Sequence, residues 1–402
     1  MNSRAIAGGV PLSSAASLFR TPSDATQIRP VILYPPAVLF GDGTAELVGG
    51  EARALGSRAL LVTYSSLWGR EEDRPLGRVL RSLEDAGVRV ELFELPGEPD
   101  ISAVDACGAR VAEVGAELVI GLGGGSILDT AKAASALVGN GGSWSDYQFG
   151  AATLTRAGVP VVAIPTTAGT GSEATSVAVI QNRESGLIKS VSSPLMLPRV
   201  VIIDPTLTWS CPPRLTALVG LDAITHAIES YLSPRASRLT RALSLQALSL
   251  LVDPLVRAVQ DGTDRDARSS LALGSHFAGQ ALSAGVGAAH ILAQPISATL
   301  GVAHGEALAA VFVAVLGFDE EYPSRLFADL TPAFGSSYSS LSLAVRDYLA
   351  RVGLPTTLSA IGGRESHIAG ILSKVAQSTG HVWTNVRPVT LPDLERILHA
   401  SI

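Results

Sequence analysis

Apolar residues gather in short unbroken runs through the first half of the chain and recur at helical intervals through the second. Leu118-Val-Ile-Gly-Leu122 and Val161-Val-Ala-Ile164 are such runs, and Arg58-Ala-Leu-Leu-Val-Thr63 and Arg89-Val-Glu-Leu-Phe-Glu94 are strand-like. Short apolar runs of this kind fit strands buried on both faces. Between them the spacing turns helical, at Pro75 to Ala86, Val104 to Val114 and Ile127 to Leu137. Strand and helix alternating in this way predict a parallel sheet with crossover helices from Val31 to about Asp204. After Pro205 the strand pattern fades, and Pro212, Pro213, Pro234 and Pro254 punctuate long helical stretches. The expected layout is a loose extension over residues 1–29, an α/β unit over 30–206 and an all-α unit over 207–402.

Two polar loops follow two of the apolar runs. Gly121-Leu-Gly-Gly-Gly-Ser126 stands between a strand pattern and a helix pattern. Glycines let a backbone approach a phosphate, and a new helix offers free N–H groups and a positive dipole end. The run matches neither the nucleotide-triphosphate loop pattern nor a clean Gly-x-Gly-x-x-Gly, and a purely structural turn fits it as well. The second loop, Thr166-Thr-Ala-Gly-Thr-Gly-Ser-Glu173, carries hydroxyls that can donate to phosphate or ribose oxygens, or cap a helix. Both loops fall at the carboxyl ends of strands, where ligands bind on parallel sheets.

The helical half holds Asp222 and His226, four residues apart and so one turn apart on one helix face. His290 and His304 follow in Gly287-Ala-Ala-His290 and Val302-Ala-His-Gly-Glu306. One carboxylate and three imidazoles make a good shell for Zn²⁺ or Fe²⁺. Taken singly they are also three ordinary histidines and a helix aspartate; the loops upstream favour the metal.

With 402 residues, 47% hydrophobic and 16% charged, the chain is long enough for two well-buried domains. A net charge of −6 without a basic cluster argues against a nucleic-acid partner. No apolar run approaches the length of a membrane span, and the extension lacks the apolar core of a signal peptide. Two cysteines, Cys107 and Cys211, form no disulfide framework, so a reducing cytoplasm is expected.

Taken together, Gly123-Gly-Gly-Ser-Ile-Leu-Asp-Thr-Ala-Lys132, Thr166 to Glu173, Val201-Ile-Ile-Asp-Pro205, Gly220 to Tyr231, Ala303-His-Gly305 and Thr384 to Asp393 resemble the iron-containing, or group III, alcohol dehydrogenases. Glycerol dehydrogenases and dehydroquinate synthases are more distant kin of that family. The resemblance runs from about Val31 to the C-terminus. It implies a Rossmann-like dinucleotide-binding domain, a helical metal-binding domain and an active site in the cleft between them. It implies Asp222, His226, His290 and His304 as ligands of Fe²⁺ or Zn²⁺. Gly123, Gly124, Gly125 and Ser126 would face the pyrophosphate of NADPH or NADH, with Thr166, Thr167 and Thr170 nearby. Lys189 matches a lysine that approaches the nicotinamide ribose, and Asp129 could reach the cleft or serve the helix dipole. A small aldehyde or alcohol as substrate and a homodimer or higher homo-oligomer follow from the same resemblance.

Two departures refine the expectation. Many members carry a further histidine four residues after the third ligand; here that residue is Gln294, which cannot titrate near neutrality. NAD-preferring members place an aspartate after the second strand; here Tyr64 stands there, followed by Ser65 and Ser66. Neither repels a 2′-phosphate, so NADPH is expected to serve at least as well as NADH. The Gln294 change and the segments around His290 and His304 look more like the subgroup that includes phosphonoacetaldehyde reductases, which form 2-hydroxyethylphosphonate. Three alternatives stay open: a maleylacetate reductase-like enzyme, a lyase-type relative of dehydroquinate synthase, and a catalytically inactive nucleotide-binding protein.

Overall fold

The structure, a computed structural model, describes residues 33–64, 74–95, 97–377 and 384–402. Its strands are β1 (Ala37–Phe40), β2 (Arg58–Thr63), β3 (Arg89–Glu94), β4 (Leu118–Gly123), β5 (Val161–Pro165), β6 (Val177–Asn182), β7 (Leu187–Ser192) and β8 (Val200–Ile203). Six form one sheet in the order β1-β8-β5-β4-β2-β3, and every neighbouring pair is parallel. The two-residue alternation of a strand sends side chains to opposite faces. Leu61, Leu118, Ile120 and Val162 meet Val48, Leu76, Val79 and Leu83 on one face. Leu60, Val62, Val119 and Val161 meet Cys107, Val111, Ile127 and Ala131 on the other. Burying each such aliphatic side chain contributes about 1.5–3 kcal/mol, which is why the strands read as unbroken apolar runs.

The chain leaves β2 toward β3 and then returns to place β4 on the other side of β2. That reversal opens a crevice at the carboxyl ends of β2 and β4, the position where parallel sheets take ligands. The turn after β4 and the loop after β5 both face it. The antiparallel hairpin β6–β7 is absent from the sequence reading.

From Pro213 onward the described residues are helical. Helix Pro213–Leu232 is buried nearly all round and packs on helices Arg238–Gln260 and Arg265–Ala281. Pro254 lies inside helix Arg238–Gln260 rather than ending it. That helix is long and apolar enough to cross a membrane, yet it lays its buried side chains against its two neighbours as a core helix does. The fold is therefore an α/β parallel-sheet domain followed by a helical one, as the alternation predicts. Cys107 and Cys211 are both free thiols.

Candidate metal and dinucleotide site

A helix buried on all sides must pair its polar groups. Helix Pro213–Leu232 buries Asp222, His226 and Glu229, which share one face at helical spacing. His290 comes from the first turn of helix Ala288–Leu300, and His304 opens helix His304–Glu320. The Nε2 atoms of His290, His226 and His304 lie 3.3, 3.6 and 3.7 Å from one atom, Asp222 Oδ1. The two longer distances are too great for hydrogen bonds. They suit the edges of a tetrahedral shell, which are about 3.4 Å when the metal–ligand bonds are about 2.1 Å. The rings of His226 and His290 stack at 4.5 Å, and those of His290 and His304 stand 5.6 Å apart. The side chain of His304 is 37% exposed against 8% for Asp222, so the cluster opens to solvent on the His304 side.

Burial opposes ionisation of Asp222, but His226, His290 and His304 outweigh it and hold the carboxyl below its ordinary range. Burial lowers His226 to about 4, keeping that imidazole neutral and its lone pair available. Burial also opposes a charge on His290, yet Glu229 and Asp222 overcome it and push the group up to about 9. A proton and a divalent ion compete for that His290 lone pair, so ion binding there releases a proton. The ligand atoms of Asp222, His226 and His290 lie within 4.8 Å of one another, and His304 stands at the open edge beside Asp222, a donor set that fits one borderline divalent ion.

The glycine turn lies where β4 ends and helix Gly125–Asn140 begins, and that helix start has no side-chain cap. A Cβ on Gly125 would stand 2.7 Å from Thr170 Cγ2, and one on Gly124 would stand 3.2 Å from Thr167 Oγ1. Glycine thus lets the Thr166–Thr170 loop close beside the helix start. Thr167 and Thr170 are half-buried beside the turn. Thr166 is buried, and its backbone N–H donates to Gly123 O at 3.0 Å. We expect Gly125→Ala to raise the KM for dinucleotide about tenfold, since relieving such overpacking costs about 1–3 kcal/mol. The check is the ratio of KM to kcat: kcat should stay within about twofold, because the strain sits at the glycine turn and away from the cluster around Asp222.

Tyr64 directly follows β2 and donates its hydroxyl to Gly97 O at 3.0 Å. Burial and the neighbouring Glu98 push its phenol up to about 12. Ser126 Oγ donates to Glu98 Oε2 at 2.8 Å. Sequence reasoning missed Glu98; its one signal was an acidic residue in the loop after β3, beside the crevice. Ser65 lies outside the described residues.

Lys189 is buried in β7, with Nζ 4.4 Å from the centre of the Phe149 ring, and β7 packs against the helix that carries His290. Asp129 accepts from Ser172 Oγ at 2.6 Å and Val179 N at 2.9 Å, and lies 3.1 Å from Lys132 Nζ. Its carboxylate ties helix Gly125–Asn140 to the segment after the Thr166–Thr170 loop. Lys132 donates to Ser172 O at 2.9 Å and to Val177 O. His276 is buried with Nδ1 3.3 Å from Glu173 Oε1 and Nε2 3.1 Å from Gln280 Nε2, so both ring nitrogens are engaged.

Residues 35–205 match the family model described as iron-containing alcohol dehydrogenase, and residues 216–402 match the C-terminal model of the same family. Long-chain-alcohol dehydrogenase 1 of Geobacillus thermodenitrificans is 33% identical over 92% of this chain and 96% of its own. The NAD-dependent methanol dehydrogenase of Bacillus methanolicus is 32% identical over 92% of this chain and 98% of its own. The crystal structure of sulfoacetaldehyde reductase from Bifidobacterium kashiwanohense in complex with NAD⁺ superposes with a TM-score of 0.82 at 27% identity, covering 93% of this chain and 98% of that one. On the two family models and on full-length relatives above 30% identity, the chain belongs to the iron-containing alcohol dehydrogenases, oxidoreductases that act on CH–OH groups.

Proposed function

We propose that this protein reduces a small anionic aldehyde with a nicotinamide dinucleotide at a divalent ion, Fe²⁺ or Zn²⁺, held by Asp222, His226, His290 and His304. The observation that carries the reading is the approach of three Nε2 atoms to within 3.3–3.7 Å of Asp222 Oδ1. When bound, the ion polarises the substrate oxygen and stabilises the negative charge that develops there. The nicotinamide supplies the hydride. The chain's own residues orient the partners. Gly123, Gly124, Gly125 and Ser126 approach the pyrophosphate, and Thr167 and Thr170 donate to it. Lys189 approaches the nicotinamide ribose from β7. Asp129 acts through the loop it holds rather than on the substrate. The division near residue 206 makes the cleft, with the nucleotide on the sheet side and the ion on the helical side.

For the substrate, phosphonoacetaldehyde is the proposal that the segments around His290, Gln294 and His304 support. The likeness to a sulfoacetaldehyde reductase points the same way, since both molecules are two-carbon aldehydes with an anionic head. A screen of acetaldehyde, butanal, sulfoacetaldehyde and phosphonoacetaldehyde tests it. We expect phosphonoacetaldehyde to have the highest kcat/KM; a preference for butanal would overturn the substrate class while leaving the reaction class intact.

On the dinucleotide, Tyr64 admits a 2′-phosphate, but Glu98 sets a carboxylate beside Tyr64 and Ser126 at the same end of the crevice. An NAD-dependent relative agrees with that charge. We therefore expect NADH to be used at least as well as NADPH, against the reading from Tyr64 alone. Glu98→Gln should shift the kcat/KM ratio toward NADPH by about tenfold, the equivalent of removing roughly 1.4 kcal/mol of repulsion. An unchanged ratio would remove Glu98 from the cofactor's neighbourhood.

A further inference from the structure

Glu229 is seven residues after Asp222 and three after His226, so helix Pro213–Leu232 carries it on the same face as both. It is 5% exposed, and its two oxygens accept three hydrogen bonds from the first turn of another helix. Oε1 takes Ala289 N at 2.8 Å, and Oε2 takes Gly287 N at 2.8 Å and His290 Nδ1 at 2.6 Å. Asn385 Oδ1 takes the remaining amide, Ala288 N, at 3.1 Å. The backbone fits this cradle closely: a Cβ on Gly287 would stand 2.8 Å from Asn385 Oδ1 and 2.9 Å from Glu229 Oε1.

An ordinary helix cap needs the amide bonds alone. The bond to His290 Nδ1 does something further. A neutral imidazole carries one N–H, and donating it from Nδ1 leaves the lone pair on Nε2. Nε2 is the atom aimed at Asp222 Oδ1. His226 offers the contrast, because its Nδ1 is buried without a partner among the described residues.

We propose that Glu229 is a positioning residue of the metal centre, fixing His290 as the Nδ1–H tautomer with Nε2 directed at the ion. The proposal rests on the metal-centre reading above. It gives one helix two jobs, since Pro213–Leu232 supplies two of the ligands and the buttress for a third. Asn385, from the C-terminal segment, holds the same turn from the other side and leaves the imidazole to Glu229.

The test compares wild type with Glu229→Gln in the full chain. Glutamine keeps the size but has one acceptor oxygen and an NH₂ group, so it cannot accept all three bonds. With NH₂ toward Nδ1 the proton is driven to Nε2, which blocks the ligand atom. Protein stripped with a chelator is titrated with Zn²⁺ against a chromogenic chelator. The dissociation constant should rise about 10–100-fold, as for other partners that orient a metal-bound histidine. NADH binding to the stripped protein should stay within about twofold, which shows an intact fold. An unchanged Zn²⁺ constant in Glu229→Gln overturns the proposal; a wild type that binds no divalent ion overturns the metal-centre reading instead. If Glu229→Gln fails to fold, wild type alone decides the matter. ¹⁵N-imidazole spectra of the stripped and Zn²⁺-loaded protein should show His290 protonated at Nδ1 in both, with Nε2 shifting on loading. In the Zn²⁺-loaded protein, a proton on Nε2 with Zn²⁺ on Nδ1 would rule Glu229 out as the buttress.

Discussion

His290→Ala is expected to lose about 10³-fold in turnover and most of its bound divalent ion. The imidazole faces Asp222, His226 and His304 together, and its removal leaves a three-donor shell with a gap on the buried side. If the ion supplies about 4 kcal/mol of charge stabilisation at the substrate oxygen, its loss is worth about three powers of ten in rate. Metal content measured by mass spectrometry on the purified variant, beside a nicotinamide absorbance assay, reads both effects. The proposed dinucleotide site lies on the sheet, so NADH binding should survive. Full turnover in protein shown to be free of metal would end the metal-centre reading. His304→Ala should cost less affinity, because His304 is the partly exposed member and solvent can enter its place.

How far the sequence alone reaches depends on the length scale of each interaction. Strands β2 and β3 fall on Arg58–Thr63 and Arg89–Glu94, the very runs read as strand-like. Their signal is local, a stretch of apolar residues bounded by turns. The β6–β7 hairpin went unseen although Val177–Ile180 is as apolar as β3, because its short run directly follows the hydroxyl-rich loop and its partner strand, Leu187–Ser192, is largely polar.

The site divides in the same way. Asp222 and His226 declare themselves by helical spacing. His290 and His304 sit on two further helices, so only resemblance to a family joined them to the first pair. Glu229 was legible as a residue of the same motif, but its bond to the turn before His290 was not, because its partner Gly287 is 58 residues away. Glu98 and Ser126 meet across 28 residues, and their pairing changes the cofactor expectation that Tyr64 suggested. Asp129 had two readings, the cleft or the helix dipole. The fold gives its carboxylate a third use, on Ser172 and Val179.

Gln294→His should change the pH profile of alcohol oxidation by about 10²-fold at neutral pH. Gln294 lies one turn after His290 on helix Ala288–Leu300 and is half-buried, so a side chain there projects along the face that carries the ligand. Oxidation must remove a proton from the alcohol, whereas reduction must deliver one to the product oxygen. Near neutrality water and the ribose hydroxyls can deliver that proton, but they are poor bases. His276 cannot take over the role, because Glu173 and Gln280 occupy both its nitrogens. Wild type is therefore expected to favour reduction near pH 7, with oxidation rising steeply toward alkaline pH and showing no plateau below about pH 8. An added imidazole with an ordinary value near 6.5 is mostly neutral at pH 7 and can accept the proton. A positioned general base typically contributes about 10²–10⁴-fold, so oxidation by Gln294→His should level off from about pH 7 upward while reduction changes little. Measuring kcat for oxidation from pH 6 to pH 10 in both proteins decides it. Parallel profiles would show that position 294 does not reach the proton path. A wild-type plateau set by a group titrating near 6–7 would show that another base already serves it.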